Sequence, residues 1–536
     1  MNRYVRSFLI MMVLFLTAFQ AASPAAVSAA AGKPKIERLD GRGNNPTHPG
    51  WGSSNQAFLR LSKAAYADGV SSPSGADRPN ARALSNTFSA SPEDGVTNDR
   101  DFSAFVYAWG QFLDHDIDLT ATASPKEAFP ITVPTGDTWF DPASTGVMTI
   151  PMSRSAYASG VSGPRQQVNS ITAFIDGSQI YGVDATRAAA LREFSGGRLK
   201  TSPGNLLPFN TDKLPNANDA HRVDDAQLFL AGDIRANENP ELLSMQTLFL
   251  REHNRIAAQI AQRNPALTDE QIFQQARRTV IAELQKITYD EFLPAILGKR
   301  LPAYKGYRKN VNPGIATEFS TAAFRVGHSM VGDDIEFLDN DGKEIRDAVL
   351  FRDAFFDPTI VSATGIDPIL KYLASDNAQE IDTMVVDDLR NFLFGAPGQG
   401  GFDLAALNIQ RGRDHGIADY NTVRAAYGLP RVTRFDQITS DKTMQAKLAA
   451  AYGSVNKIDL WIGGLAEDHL PNSSLGVTFT RIIVDQFMRL RDGDRFWYQN
   501  QMHPLPGMDR VSLANIIRLN TGLTKLQKNV FFFNEP

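Results

Sequence analysis

Apolar residues recur at three- and four-residue spacings along much of the chain, a pattern typical of helices that bury one face. The pattern is strongest in two long segments, LLSMQTLFLREHNRIAAQIAQRN (242–264) and DEQIFQQARRTVIAELQKITYDEFL (269–293). It returns in shorter segments at 104–120, 313–331, 383–394, 416–427, 441–452 and 475–491. Alternating strand patterns are few, and residues 121–170 show little periodicity, which predicts a long surface loop. We therefore expect a mainly α protein: one large helical domain with long loops and little β structure.

The segment AFVYAWGQFLDHDIDLT (104–120) departs from a simple amphipathic helix at one position. Its polar stripe contains Gln111, Asp114, His115 and Asp118. Asp116 points instead into the apolar face, between Phe105 and Trp109, where an unpaired carboxylate is costly. The helix therefore needs a group that compensates this charge, either a cation bound by several oxygens or a buried arginine.

The segment TAFIDGS, Thr172–Ser178, supplies oxygen donors suited to such a cation. Thr172, Asp176 and Ser178 carry oxygen side chains at alternate positions, and Gly177 permits a tight bend. The alternative is a hydrogen-bonded turn without a metal, because Asp and Ser are common in turns.

The composition excludes several classes of protein. The 536 residues are 43% hydrophobic and 21% charged with a net charge of −5, an ordinary globular profile that gives no support for nucleic acid as a partner. There is no cysteine, which excludes disulfides, thiolate-bound zinc, iron–sulfur clusters and thiol nucleophiles. Stability must then come from a large core or a bound metal.

The first residues have the pattern of a targeting segment. A positively charged start is followed by the apolar run FLIMMVLFLTAF and then by the small residues AVSAAAG. We predict a signal peptide at 1–31, a catalytic domain at 32–536 with an extended arm at 32–60, and a secreted or periplasmic protein. The alternative is an uncleaved anchor helix, although the apolar run is shorter than the about 20 residues that span a membrane.

Two histidines and one Arg–Glu pair are candidates for chemistry. His115 lies on the polar stripe of its helix, and His328 follows TAAFRVG and is either a core residue or a metal ligand. Arg235 and Glu238, three residues apart in AGDIRANENPEL, form either a surface ion pair or part of a site. Pro240 predicts that a helix begins there.

Five motifs in order carry a family resemblance: WGQFLDHDIDLT, TAFIDGSQIYG, AGDIRANENPELLSMQTLFLREHNR, AFRVGHSM and LAALNIQRGRDHG. Together they resemble the animal-type haem peroxidases of the peroxidase–cyclooxygenase superfamily, which includes myeloperoxidase and lactoperoxidase. The similarity extends from about residue 40 to 510. Because the disulfides of the family are missing, the resemblance favours a bacterial or otherwise early branch.

The resemblance implies roles for the residues that its motifs contain. His115 matches the distal histidine, Arg235 the distal arginine, and Gln111 the distal glutamine that holds water and positions small anions. His328 matches the proximal iron ligand, and Asn408 the asparagine that accepts a hydrogen bond from the other nitrogen of that ligand. Two pairs match residues at the haem periphery: Asp114 and Glu238 (ester bonds to the haem) and Arg325 and Asp118 (near the propionates). The calcium site of the family is matched by Asp116, Thr172, Phe174 through its carbonyl, Asp176 and Ser178.

The resemblance also implies cofactors and a reaction. The expected cofactors are haem b, free or covalently linked, and Ca²⁺. The expected reaction is reduction of hydrogen peroxide, with halides, thiocyanate or small aromatic donors oxidised through a ferryl intermediate. Asn239 stands where mammalian chloride oxidisers carry a methionine bonded to a haem vinyl group, so no sulfonium link can form here.

Two other functions are weighed against this one. A fatty-acid dioxygenase of the same superfamily carries a tyrosine three residues before the proximal histidine, and that position here is Arg325. A non-catalytic adhesion protein on a peroxidase scaffold needs none of His115, Arg235 and His328, and all three are present.

Overall fold

Helices account for most of the regular structure in the computed structural model, which describes residues 36–93, 95–160, 162–500, 505 and 507–533. The α-helices are α1 (Ala81–Phe88), α2 (Phe105–Ile117), α3 (Ser178–Tyr181), α4 (Ala185–Leu191), α5 (Pro240–Arg263), α6 (Asp269–Ile287), α7 (Leu293–Leu297), α8 (Thr317–Thr321), α9 (Phe351–Ala354), α10 (Pro358–Thr364), α11 (Asp367–Ser375), α12 (Asp387–Arg390), α13 (Leu404–Asp414), α14 (Tyr420–Ala426), α15 (Lys442–Tyr452), α16 (Leu460–Leu465), α17 (Val477–Asp492) and α18 (Leu513–Asn520). The predicted mainly α class is confirmed.

The strands are short and form three separate antiparallel pairs in the described part of the chain. They are β1 (Gln56–Ala57) with β4 (Val168–Asn169), β2 (Ile131–Thr132) with β3 (Thr149–Ile150), and β5 (Asp334–Leu338) with β6 (Glu344–Leu350). The first two pairs interrupt the region predicted as a long loop. The predicted arm is not free, because Gln56 and Ala57 pair with Asn169 and Val168.

The two long predicted helices are confirmed as α5 and α6, and each begins at a built-in cap. The side chain of Asn239 accepts a hydrogen bond from the Leu242 N–H, and Pro240 occupies the first turn of α5. Thr268 and Gln271 form a reciprocal capping box at the start of α6. The caps satisfy backbone N–H groups that have no partner within the helix.

Helix α2 lies in the centre of the core. Trp109 and Phe112 are fully buried. The Trp109 ring packs edge-on against Phe249 of α5, and against Phe531 at a centroid distance of 6.0 Å. Burying large aromatic rings on one face contributes roughly 1.5–3 kcal/mol each, which holds α2 against α5.

Other predicted helices are shorter than their patterns or broken. Segment 313–331 is not one helix, because the backbone of Ala322 leaves the helical region (φ −140°) and separates α8 from a 3₁₀-helix at Ala323–Ser329. Segment 383–394 forms only α12, and Phe394 takes a left-handed φ of +64° that an α-helix does not contain. Helix α13 was not predicted.

Residues 530–533 are hydrogen-bonded to the segment that precedes α2. The backbone N–H of Ser103 donates to the Phe531 carbonyl at 3.1 Å, and the Phe533 N–H donates to the Asp101 carbonyl at 2.6 Å. The Ser103 hydroxyl also donates to the Val530 carbonyl. We call residues 101–103 and 530–533 the clasp.

The predicted signal peptide at 1–31 lies outside the described residues. Among the residues that the structure does describe, no helix combines the length and the apolar character needed to span a membrane.

Candidate active site

Three segments surround a polar hollow inside the helical core. These are α2, the turn that precedes α5, and the 3₁₀-helix Ala323–Ser329, which packs against α2. On the otherwise buried α2, Gln111 and Asp114 keep partial exposure, and the Asp114 side chain is 31% exposed. Glu238, in the turn, is 22% exposed at its side chain. Polar groups with this exposure on buried elements indicate internal open space.

The α2 side of the hollow carries a neutral histidine. Burial and the neighbouring Arg235 lower the pKa of His115 to about 3, so its imidazole is uncharged at neutral pH. The Nδ1 atom of His115 is buried without a hydrogen-bond partner, and Asp233 Oδ1 is 3.7 Å away. The Nε2 atom lies 3.7 Å from Glu238 Oε2. A neutral imidazole in this position can accept a proton.

Asp233 fixes the arginine beside this histidine. Arg235 donates from Nε to Asp233 Oδ1 at 2.8 Å and from Nη2 to Oδ2 at 2.9 Å, a bidentate pair. Its Nη2 also donates to the Asp118 carbonyl at 2.9 Å, and its Nη1 to Asp114 Oδ2 at 3.4 Å. Burial opposes the charge, but these acids raise the pKa of Arg235. The guanidinium is therefore a permanent, oriented positive charge at the hollow.

Three side chains form a hydrogen-bonded row between α2 and the start of α5. Asn239 Nδ2 donates to Gln111 Oε1 at 2.9 Å, and Gln111 Nε2 donates to Glu238 Oε2 at 2.9 Å. Burial raises the pKa of Glu238 to about 8 and, together with the charge of Asp118, that of Asp114 to about 7. Gln111 is therefore tied to the turn before α5.

His328 lies on the 3₁₀-helix Ala323–Ser329, which packs against α2. Burial and the charge of Arg325 lower its pKa to about 3, so this imidazole is also neutral. Because side chains three residues apart eclipse in a 3₁₀-helix, Arg325 and His328 reach the same residue of α13. Arg325 Nη1 donates to Asn408 Oδ1 at 2.8 Å, and Asn408 Nδ2 lies 2.8 Å from His328 Nδ1.

The orientation of the Asn408 amide differs from the one that the resemblance implies. The resemblance has Asn408 accepting a hydrogen bond from His328, whereas here its amide nitrogen lies 2.8 Å from Nδ1 of that ring. Arg325 can only donate, and it takes the amide oxygen.

Asp116, on the apolar face of α2, contacts the loop Thr172–Ser178. Asp116 accepts hydrogen bonds from the backbone N–H of Ser178 at 2.6 Å and of Gly177 at 3.2 Å. The Ser178 hydroxyl lies 2.8 Å from the Asp116 carbonyl oxygen, and Thr172 Oγ1 lies 3.0 Å from Asp176 Oδ1. The structure therefore brings Asp116 together with Thr172, Asp176 and Ser178, and Phe174 is fully buried within the same loop.

This cluster contains more negative charge than its hydrogen bonds satisfy. Asp176 Oδ2 is buried without a partner. Burial raises the pKa of Asp116 to about 7, and burial with the charges of Asp116 and Glu37 raises the pKa of Asp176 well above its ordinary value. Two adjacent buried carboxylates among hydroxyl oxygens match the donor set of a hard cation such as Ca²⁺.

The comparisons with known proteins give the family. A family model described as animal haem peroxidase matches residues 36–531. The chain belongs to the animal haem peroxidase family. This haem peroxidase is 39% identical to Peroxinectin A of Dictyostelium discoideum over 509 residues, covering 92% of this chain and 94% of that protein. It is 36% identical to Myeloperoxidase of Mus musculus, covering 93% and 76%. The solved structure of Peroxidase A from Dictyostelium discoideum gives a TM-score of 0.87 at 38% identity, covering 93% of this chain and 100% of that one.

The groups around the hollow of this peroxidase fit a haem. An iron porphyrin needs a neutral imidazole for its metal and basic groups for its carboxylates. His328 is neutral, and Arg325 is a half-buried cation three residues before it.

Two residues near the site were not predicted from the sequence. Asp233 holds Arg235, but a single Asp two residues before an Arg is too common a pattern to single out. Glu37 lies in the predicted arm, and burial with the charge of Asp494 raises its pKa to about 8. Its proximity to Asp116 and Asp176 arises only when the arm folds onto the core, so no local signal indicates it.

Proposed function

We propose that this peroxidase reduces hydrogen peroxide and oxidises halides, thiocyanate or small aromatic donors with a haem b bound between α2 and residues 323–329. The observation that carries the proposal is the neutral His115 beside Arg235, an arginine locked in place by Asp233. A neutral base and a fixed cation at one wall are what heterolytic cleavage of a peroxide requires.

Residues 323–329 would contribute to holding the cofactor. His328 would supply a nitrogen ligand to the iron, and Arg325 and Asp118 would lie near the propionates. For Nε2 to bind a metal, the proton of His328 must sit on Nδ1, and Asn408 must then present its oxygen. This requires Arg325 to release Asn408 in favour of another acceptor. Asp114 and Glu238 would be the carboxyls that form ester bonds to the haem.

His115 would move the proton during peroxide reduction. A bound haem would supply the redox chemistry that takes two electrons to the peroxide and the oxidising equivalents that donors consume. His115 would accept a proton from one oxygen of the peroxide and deliver it to the other, which would leave as water. Arg235 would stabilise the negative charge on the leaving oxygen, and Gln111 would hold water and small anions in the hollow.

Calcium at Asp116 would set the angle of the catalytic helix. The ion would bind Asp116, Thr172, the Phe174 carbonyl, Asp176 and Ser178, and join α2 to the loop before α3. Because Asp116 directly follows His115, a shift of this tie also displaces the imidazole. The ion would neutralise the two buried carboxylates described above.

Loss of the calcium ion should lower the free energy of unfolding. The direction of the change in melting temperature distinguishes a calcium site from a cluster without a cation. Asp176→Asn should abolish bound calcium and its stabilisation, about 2.7 kcal/mol when calcium is a hundredfold above its Kd. If the site held no cation, the same change would remove one of two adjacent buried carboxyls and raise the melting temperature. Elemental analysis and thermal melts measure both, with the exposed Asp509→Asn as control. A more stable, calcium-free variant contradicts the calcium site.

We also propose export of the protein with removal of residues 1–31, leaving residues 32–536 as one catalytic domain. The charged start and apolar run of this segment support the proposal. Arg325, which cannot form a tyrosyl radical, argues against dioxygenase chemistry, and the complete His115, Arg235 and His328 set argues against a non-catalytic scaffold.

Donor rates test the function directly. The haem-loaded protein should show a Soret band that shifts on adding peroxide. It should oxidise iodide, bromide and thiocyanate readily but chloride weakly near neutral pH, because Asn239 has no sulfur with which to raise the haem potential. Steady-state rates with the four anions and a phenol measure this. Absence of a Soret band after haem supplementation contradicts the function, and chlorination as fast as bromination contradicts the donor range.

A further inference from the structure

The row Asn239–Gln111–Glu238 has a fixed direction. Asn239 Oδ1 accepts from the Leu242 N–H at 2.7 Å. Its Nδ2 therefore faces Gln111, and donates to Oε1 at 2.9 Å. With its oxygen so occupied, Gln111 presents Nε2 to Glu238 Oε2, also at 2.9 Å.

The direction originates in the backbone of α5. The first turn of a helix exposes only N–H groups, so the Asn239 atom that caps it must be oxygen. An amide has one oxygen and one nitrogen, and each link therefore dictates the next. The N-terminus of α5 thus fixes the orientation of the Gln111 amide: its oxygen faces Asn239 and its nitrogen faces Glu238.

We propose that Asn239 is a positioning residue that acts through Gln111, holding its amide nitrogen toward the hollow. The inference rests on the proposed function, in which small anions bind beside Gln111. One N–H of Nε2 is used by Glu238, and the second remains a donor for a halide or thiocyanate. The reversed amide would instead present oxygen lone pairs and repel an anion.

Capping alone does not account for this residue. Ser and Asp cap helices about as well as Asn, but neither can donate to Gln111 from this position as an amide does. Asn239 is 5% exposed and Gln111 is only partly exposed, so water competes weakly for the bond. Asn239→Ser keeps the cap and removes the donor. Asn239→Asp keeps the cap and replaces the donor with an acceptor, which forces the Gln111 amide to turn over.

A double-mutant cycle on the haem-loaded ferric protein tests the coupling. The variants are Asn239→Ser, Asn239→Asp, Gln111→Leu and the two doubles, and the measurement is the thiocyanate Kd from the absorption spectrum. Asn239→Ser should weaken binding roughly two- to tenfold, the effect of one hydrogen bond, and Asn239→Asp should weaken it more. In the Gln111→Leu background the serine change should have no further effect. Any effect of aspartate that persists there measures its charge alone.

Melting temperatures separate positioning from capping. Both single variants should melt within about 2 °C of the parent, because both retain the cap. Equal weakening by Asn239→Ser in the two backgrounds overturns the proposal, as does unchanged binding with a lowered melting temperature. Failure of the proposed function is a different result: the unmodified protein would then take up no haem or would not react with peroxide.

Discussion

Arg235→Ala should slow the reaction of the haem-loaded protein with hydrogen peroxide by roughly a hundredfold or more. Asp233 holds Arg235 in place with two hydrogen bonds. The alanine variant therefore lacks the fixed cation that would stabilise negative charge on the leaving peroxide oxygen. His115→Ala should have an effect of similar size, because it removes the neutral base. Stopped-flow mixing with peroxide measures the second-order rate constant.

Two controls make this result specific. Arg235→Lys keeps the charge but loses the bidentate pair with Asp233, and should recover part of the rate. Arg510→Ala alters an arginine that is 88% exposed, and should leave the rate unchanged. Unaltered rates in both Arg235→Ala and His115→Ala would contradict the assigned mechanism.

His328→Ala should lose most of its haem, since the variant has no nitrogen to bind iron. The expected outcome is a haem-to-protein absorbance ratio lowered about tenfold or more after purification and gel filtration. A haem retained through ester bonds at Asp114 or Glu238 would show an altered Soret band. The matched control is His469→Ala, a half-buried histidine whose Nε2 contacts the Ile381 carbonyl at 2.8 Å. A normal spectrum with full activity in His328→Ala would show that another residue binds the iron.

The sequence singles out α2 through one acid on its apolar face. That position predicts a cation or a buried arginine beside Asp116, and the structure places the backbone N–H groups of Gly177 and Ser178 there. The long helices α5 and α6 were predictable for a similar reason, because periodicity and caps agree over many residues. The family motifs then located the remaining candidate residues.

Features that depend on packing between distant segments were not predictable. Segment 313–331 is broken at Ala322, although its apolar spacing is helical, and Arg325 and His328 in the 3₁₀-helix that follows both contact Asn408 of α13. The polarity of the Asn408 amide depends on Arg325, a contact across 83 positions of sequence.

The clasp has a consequence for the timing of synthesis. Ser103, immediately before α2, is tied to residues that follow it by 427 positions. At about 5–20 residues per second, a ribosome needs roughly 20–90 s to make that interval. Until then Trp109 lacks the ring of Phe531, although it can already pack against Phe112 and Phe249. The segment before α2 therefore gains its hydrogen bonds to residues 530–533 only after the rest of the helical core has been made.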